Sequence, residues 1–184
     1  ILLSDNGVLV VESSYLLDMI KNMVFDFIYH EHLSYFSIFP LQKFFETYGL
    51  HLIGLEHIGT KGGSLRYYWA RSNSKWEVDK NVTKIIEKEK KANINISTFR
   101  DFEEKIALQR SYLSKFLKKF KGKKVVGYGA SATSTTLISH FQLQKYITYL
   151  VDDNPDKIGT FSPGYHIPVF NSEKIFEENP DVII

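Results

Sequence analysis

Val125-Val126-Gly127-Tyr128-Gly129-Ala130-Ser131-Ala132 is the stretch whose reading decides the fold. Two β-branched residues lead into glycines and small side chains, and Thr133 to Phe141 then continues as a helix, so the spacing predicts strand, tight loop and helix. Small residues let the amides at a helix start approach an anion closely; the plainer alternative is close strand-to-helix packing. Ile147 to Val151 reads as the next strand and ends in Asp152-Asp153, which favours a Rossmann-like unit. Asp181-Val182-Ile183-Ile184 reads as the opening of a further strand.

Upstream of this unit, Phe99, Phe102, Ile106, Leu113, Phe116, Leu117 and Phe120 recur at helical spacing up to Gly122, predicting a long amphipathic helix that starts near Thr98 and Asp101. Asp79 to Lys91 reads as a charged helix turning Val82, Ile85 and Ile86 inward. Residues 72–122 are therefore expected to be a helical linker. Its basic run, Lys118 to Lys124, reads as favourable charge at a helix end, with a phosphate-facing patch as the alternative.

The first third, 1–71, reads as a helix end at Leu2-Leu3, a turn at Gly7, a buried strand to Glu12, and a helix carrying Tyr15, Leu16, Met19, Ile20 and Met23. Pro40 to Tyr48 reads as a second helix with Phe44 and Phe45 inward, closed by Gly49. Leu50 to His57 and Ser64 to Ala70 read as an antiparallel pair joined by a glycine-containing turn, with His51 and His57 on one face as structural residues. The fold class is thus α/β.

Between the first two helices, Phe25 to Ser37 has no clear period and holds Tyr29-His30-Glu31-His32. An imidazole beside a carboxylate can take a proton near neutrality, and a phenol can meet a developing oxyanion. Two alternatives stand beside a reaction centre: polar residues with satisfied hydrogen bonds, or a metal held by His30 and His32 if the local chain is extended.

Composition narrows the classes. The 184 residues carry 23 basic and 21 acidic side chains and no cysteine, so no global charge favours nucleic acid or an anionic membrane, and thiolate chemistry is excluded. The apolar run at the start is broken by Asp5, Asn6 and Glu12, and no stretch approaches a bilayer span. A cytoplasmic protein is expected, and a chain beginning at Ile1 and ending in an opened strand is expected to be part of a longer one. Its first strand is then expected to have an unpaired edge.

Tyr29-His30-Glu31-His32 followed by Leu33-Ser34-Tyr35-Phe36-Ser37 resembles the Tyr-x-Glu-His signature of the sugar C-methyltransferase family that acts on nucleotide-diphosphate keto sugars. So do Gly62-Gly63-Ser64-Leu65-Arg66, the 127–132 loop, Asp152 to Gly159 and Pro163 to Val169. The resemblance implies His32 as the base that removes a proton beside the ketone, with Glu31 and Tyr29 orienting it and steadying the enolate. It implies half of a class I methyltransferase sheet, the helical linker and a Rossmann-like C-terminal domain over 123–184. S-adenosylmethionine would be held mostly by residues upstream of Ile1. Gly129, Ala130, Ser131, Ala132, Asp152 and Asn154 would hold the nucleotide-diphosphate sugar. One departure stands out: Thr133, Ser134 and Thr135 occupy positions where the family usually has Lys, Gly and Asn, which removes a phosphate contact. A nucleotide-sugar-binding module without catalysis is the alternative function.

Overall fold

The computed structural model describes residues 3–184. Leu2, expected to belong to a helix end, lies outside the described residues, and at Leu3 and Ser4 the chain is irregular. The chain is mixed α/β and divides into two compact units, Ile1–Phe25 with Ser34–Glu103, and Asp26–Leu33 with Glu104–Ile184.

The first unit is built on three strands, β1 (Val8–Ser14), β2 (Leu50–Ile58) and β3 (Ser64–Arg71), in the order β1-β3-β2. The central strand is antiparallel to both neighbours, so β1 and β2 run the same way. Side chains paired across an antiparallel ladder share a face. Leu9, Trp69 and Leu52 therefore share one side with Val11, Tyr67 and Leu55. Trp69 and Tyr67 are fully buried there, under α2 (Ile38–Glu46) and α3 (Lys80–Ala92), which contribute Ile38, Leu41, Phe45, Val82, Ile85 and Ile86. Phe45 points inward as expected, but Phe44 is exposed; neighbouring residues on a helix lie about 100° apart, and only one of the two can face this sheet. The opposite face of the sheet carries a polar ladder. Arg66 donates to Glu12 on β1 and Glu56 on β2, and the Tyr68 hydroxyl donates to Glu56.

The ladder between β2 and β3 slips between Leu52 and Gly54. This bulge at Ile53 reverses the alternation beyond it. His51 sits opposite Ala70 while His57 sits opposite Leu65, so the two imidazoles lie on opposite faces. The expectation that they share one face assumed an unbroken period of two.

Helix α1 (Leu16–Lys21) follows β1 directly. Helix α2 begins at Ile38, two residues before Pro40, and its cap residue Ser37 makes no side-chain cap. Its first amides are met instead by a carboxylate from α3: Glu89 accepts from Ile38 at 2.8 Å and Phe39 at 3.2 Å. That supplies both acceptor and charge where a helix needs them. Burial, then the nearby Glu89 carboxylate, pushes the Tyr15 hydroxyl well above the ordinary phenol range.

Helix α4 (Ile96–Lys118) starts earlier than Thr98 because the Asn95 side chain accepts from the Ser97 amide at 2.8 Å. Phe102, Ile106 and Leu117 are buried along it, whereas Phe99 and Phe116 are exposed.

The second unit holds a parallel sheet in the order β6-β5-β4-β7, made of β4 (Val125–Tyr128), β5 (Ile147–Val151), β6 (Val169–Phe170) and β7 (Val182–Ile183). Helix α5 (Ala132–Phe141) links β4 to β5, and α6 (Lys174–Glu178) precedes β7. Val126, Val151 and Tyr149 form its core with Ile175. Gly127 permits the tight pairing of β4 with β5, since a Cβ there would meet the Leu150 side chain at 2.5 Å.

Candidate functional site

Residues 26–33 belong by their contacts to the second unit, although the chain before and after them belongs to the first. Within the second unit the segment meets α5: the Thr136 hydroxyl lies 3.4 Å from the Ile28 carbonyl oxygen. Tyr29 to His32 form a turn closed by the His32 amide donating to the Tyr29 carbonyl at 2.9 Å. Because the chain turns here, it lacks the extended form on which a shared His30 and His32 metal site depended. Among the described residues no three His, Asp or Glu side chains are grouped as a metal site.

The turn folds aromatic edges around one imidazole. The His32 ring is half-buried and meets Tyr29 at a centroid distance of 4.9 Å and Phe27 at 5.9 Å, both near perpendicular. Such edge-to-face packing fixes the plane of the ring without consuming its nitrogens. Glu31 points elsewhere. It is exposed and approaches His30 at 4.0 Å, so Tyr29 and Phe27, and not Glu31, are the side chains packed against the His32 ring.

The 127–132 loop is brought together with the end of β5. Gly129, at φ +104°, has a conformation that only glycine adopts readily, and its amide donates to Val151 at 2.7 Å. Ser131 caps α5 reciprocally with Ser134. Asp152 is turned into the loop: it accepts from the amides of Ala130 at 2.8 Å and Asn154 at 2.9 Å and from the Lys157 ammonium at 3.0 Å. Burial alone pushes its carboxyl up, but these three donors outweigh burial and hold it below the ordinary carboxylate range. The amide expected to face an anionic ligand at Ala130 is thus engaged by the chain's own carboxylate. Asp153 accepts from Ser172 and from the Tyr128 hydroxyl at 2.5 Å, which lowers its carboxyl and raises the phenol.

A third constellation lies in the first unit and was not foreseen. Asp18, buried on α1, is paired with Nε2 of His57 on β2. The two are 39 positions apart, and neither the spacing nor the local composition signals the pair. Its one visible trace is Gly62-Gly63, since the hairpin backbone there passes directly over Asp18.

The sequence pattern of the C-methyltransferase C-terminal domain matches residues 59–184. The chain is also similar to C-methyltransferase NovU of Streptomyces niveus, 31% identical over 98% of this chain and 44% of that protein. It therefore spans less than half the length of that relative. A match over residues 59–184, more than half of the chain and including both the Gly62-Gly63 hairpin and the Asp152 loop, places this protein in the C-methyltransferase C-terminal domain family.

Proposed function

We propose that this chain is the central to C-terminal portion of a methyltransferase that transfers a methyl group from S-adenosylmethionine to a carbon of a nucleotide-linked keto sugar. The observation that carries the reading is the placement of the Tyr29 to His32 turn in the same compact unit as the glycine loop, against α5. A carbon acid beside a ketone is weak, so its base must be held at a fixed angle within hydrogen-bond reach. The aromatic edges around His32 supply that constraint, and the Tyr29 hydroxyl is a donor suited to an enolate oxygen.

The order β1-β3-β2, with an antiparallel middle strand, supports reading the first unit as the closing half of a class I methyltransferase sheet. Bound S-adenosylmethionine would supply an electrophilic methyl group. Among the described residues the first unit has no glycine-rich loop between a strand and a helix, and the loop in the second unit is engaged by Asp152. No residue of this chain is therefore assigned to that cofactor. For the nucleotide diphosphate, the first-turn amides of α5 at Ala132 and Thr133 are the donors best suited to phosphate oxygens, with Gly129 and Ser131 allowing close approach. Asp152 and Asn154 shape that loop from behind.

The test is methyl transfer by the full-length protein. His32→Ala and His32→Asn are expected to lower kcat by about 10²–10⁴-fold while sugar-nucleotide binding measured by calorimetry persists. Full activity in either variant removes His32 from the reaction. If the wild-type full-length protein binds a nucleoside diphosphate but not S-adenosylmethionine, the chain belongs to a binding module without catalysis.

A further inference from the structure

We propose that His57, held by Asp18, is a second proton-exchanging residue of this protein, with Nδ1 as the working atom and a hydroxyl or enolic oxygen of a carbohydrate as its partner. The inference rests on the methyltransferase reading above but on none of the residues used there.

The Asp18 side chain is 7% exposed, and an ionised carboxylate removed from water is tolerated only with a close partner. Its partner is Nε2 of His57. An ionised carboxylate can only accept, so Nε2 carries the hydrogen and, in the neutral ring, Nδ1 carries the lone pair. The His57 side chain is 49% exposed, and among the described residues no group bonds Nδ1. A buried carboxylate that fixes the tautomer of an imidazole whose other nitrogen is open is the arrangement by which bases are oriented.

The surrounding chain is shaped for this pair. The bulge at Ile53 is what turns His57 to the side where Asp18 lies; an unbroken strand would direct it to the other face. Gly62 and Gly63 both have positive φ. A Cβ on Gly63 would stand 2.5 Å from Asp18 Cβ and Oδ2, and one on Gly62 would stand 2.5 Å from Val24. The hairpin is clamped to α1 by the Asn22 side-chain amide donating to the Gly62 carbonyl at 2.8 Å and by the Tyr15 amide donating to the Gly63 carbonyl at 3.2 Å. Asp18 is the charged group that meets the ring from α1, and the residues bonded to the hairpin, Asn22 and Tyr15, present no charge near neutral pH.

The pair also has the right place. β1 ends at Ser14 and β2 at Ile58, both running toward the dyad, and ligands of α/β sheets gather outside the carboxyl ends of the strands. In the proposed step the substrate O–H bond breaks, its electron pair stays on oxygen, and the proton goes to Nδ1. The imidazolium is held by Asp18 until the proton returns to a substrate oxygen or to water.

The experiment uses the full-length protein, S-adenosylmethionine and a panel of uridine and thymidine diphosphate keto sugars. His57→Gln keeps a donor toward Asp18 but has no basic nitrogen. Asp18→Asn lets the side-chain amide donate to Nε2 and so moves the ring hydrogen to Nδ1. Both are expected to lower kcat by about 10²-fold or more, with KM and thermal midpoint near wild type. Nitrogen-15 spectra of the wild type should show Nδ1 as the unprotonated ring nitrogen and Asp18→Asn should reverse the tautomer. Wild-type kcat in His57→Gln, or a wild-type ring protonated on Nδ1 alone, overturns the proposal while the methyltransferase reading stands. Absence of methyl transfer from the wild type itself, over the whole panel, removes both.

Discussion

Two carboxylates, Asp18 in the first unit and Asp152 in the second, are each withdrawn from solvent beside the end of a strand and next to a glycine loop, yet they are satisfied in opposite ways. Asp152 receives two backbone amides and an ammonium. Its position is saturated. Asp18 is met by an imidazole with one nitrogen still open. The same residue type at the same kind of place is saturated in one unit and leaves its partner a free nitrogen in the other. What separates them is the partner, and each partner is set by backbone geometry: a bulge at Ile53 brings His57, and a positive-φ glycine at 129 brings the Ala130 amide.

The sharpest way to break the first arrangement is to fill the space above Asp18. Gly63 has φ 122° and ψ 126°, a region closed to residues with a Cβ. Gly63→Ala adds a clash with the carboxylate to that backbone cost, and a loss of about 3 kcal/mol is expected in urea unfolding. A loss under about 0.5 kcal/mol would show that the hairpin does not press on Asp18.

The corresponding break in the second unit is Asp152→Ala, which leaves the Ala130 amide and the Lys157 ammonium without their acceptor. A loss of about 2 kcal/mol is expected. The variant should also change the response to acid. Because the folded-state Asp152 carboxyl is held below its ordinary value, its contribution is complete above about pH 4 and is lost as pH falls through the lowered value. Stability of the wild type should therefore decline in that acid range more steeply than stability of the alanine variant. Parallel curves would mean that Asp152 is not anchored by these donors.

Much of this fold can be read in the chain. The strands at Val8, Leu50, Ser64, Val125 and Ile147 and the helices between them follow from β-branched runs, glycines and periodic apolar residues, which are local signals. What escapes reading has a physical reason in each case. β6 and α6 span only two and five residues, too short for any period to show. The bulge at Ile53 depends on how Leu52 and Leu55 both find the Trp69 and Tyr67 face, a tertiary choice. At the candidate site, the turn at Tyr29 to His32 was recognisable by residue type, but the aromatic edges that hold His32 and the separation of Glu31 from it were not. Asp18 and His57 meet only through that bulge, which explains why His57 reads as an ordinary strand residue.

The smallest of these effects tests whether the contrast between a saturated and an open carboxylate extends to a third one, Glu89. This side chain caps α2 from α3, accepting from Ile38 and Phe39, where Ser37 supplies no side-chain cap. Like Asp152 it meets backbone amides, so it should act as a fixture and contribute stability alone. Glu89→Ala is expected to cost about 1 kcal/mol. Glu89→Gln keeps an acceptor for one amide but gives up the charge at the helix start, so about half of that loss is expected. Neither change touches Asp18 or His57, and the nitrogen-15 signature of the His57 ring should be the same in both variants as in the wild type. A shift of the His57 tautomer in Glu89→Gln would show that the two carboxylates are coupled through the buried Tyr15 and Tyr67 hydroxyls, whose ionisation Glu89 opposes. The open dyad would then be one end of a longer polar network through the core of the first unit.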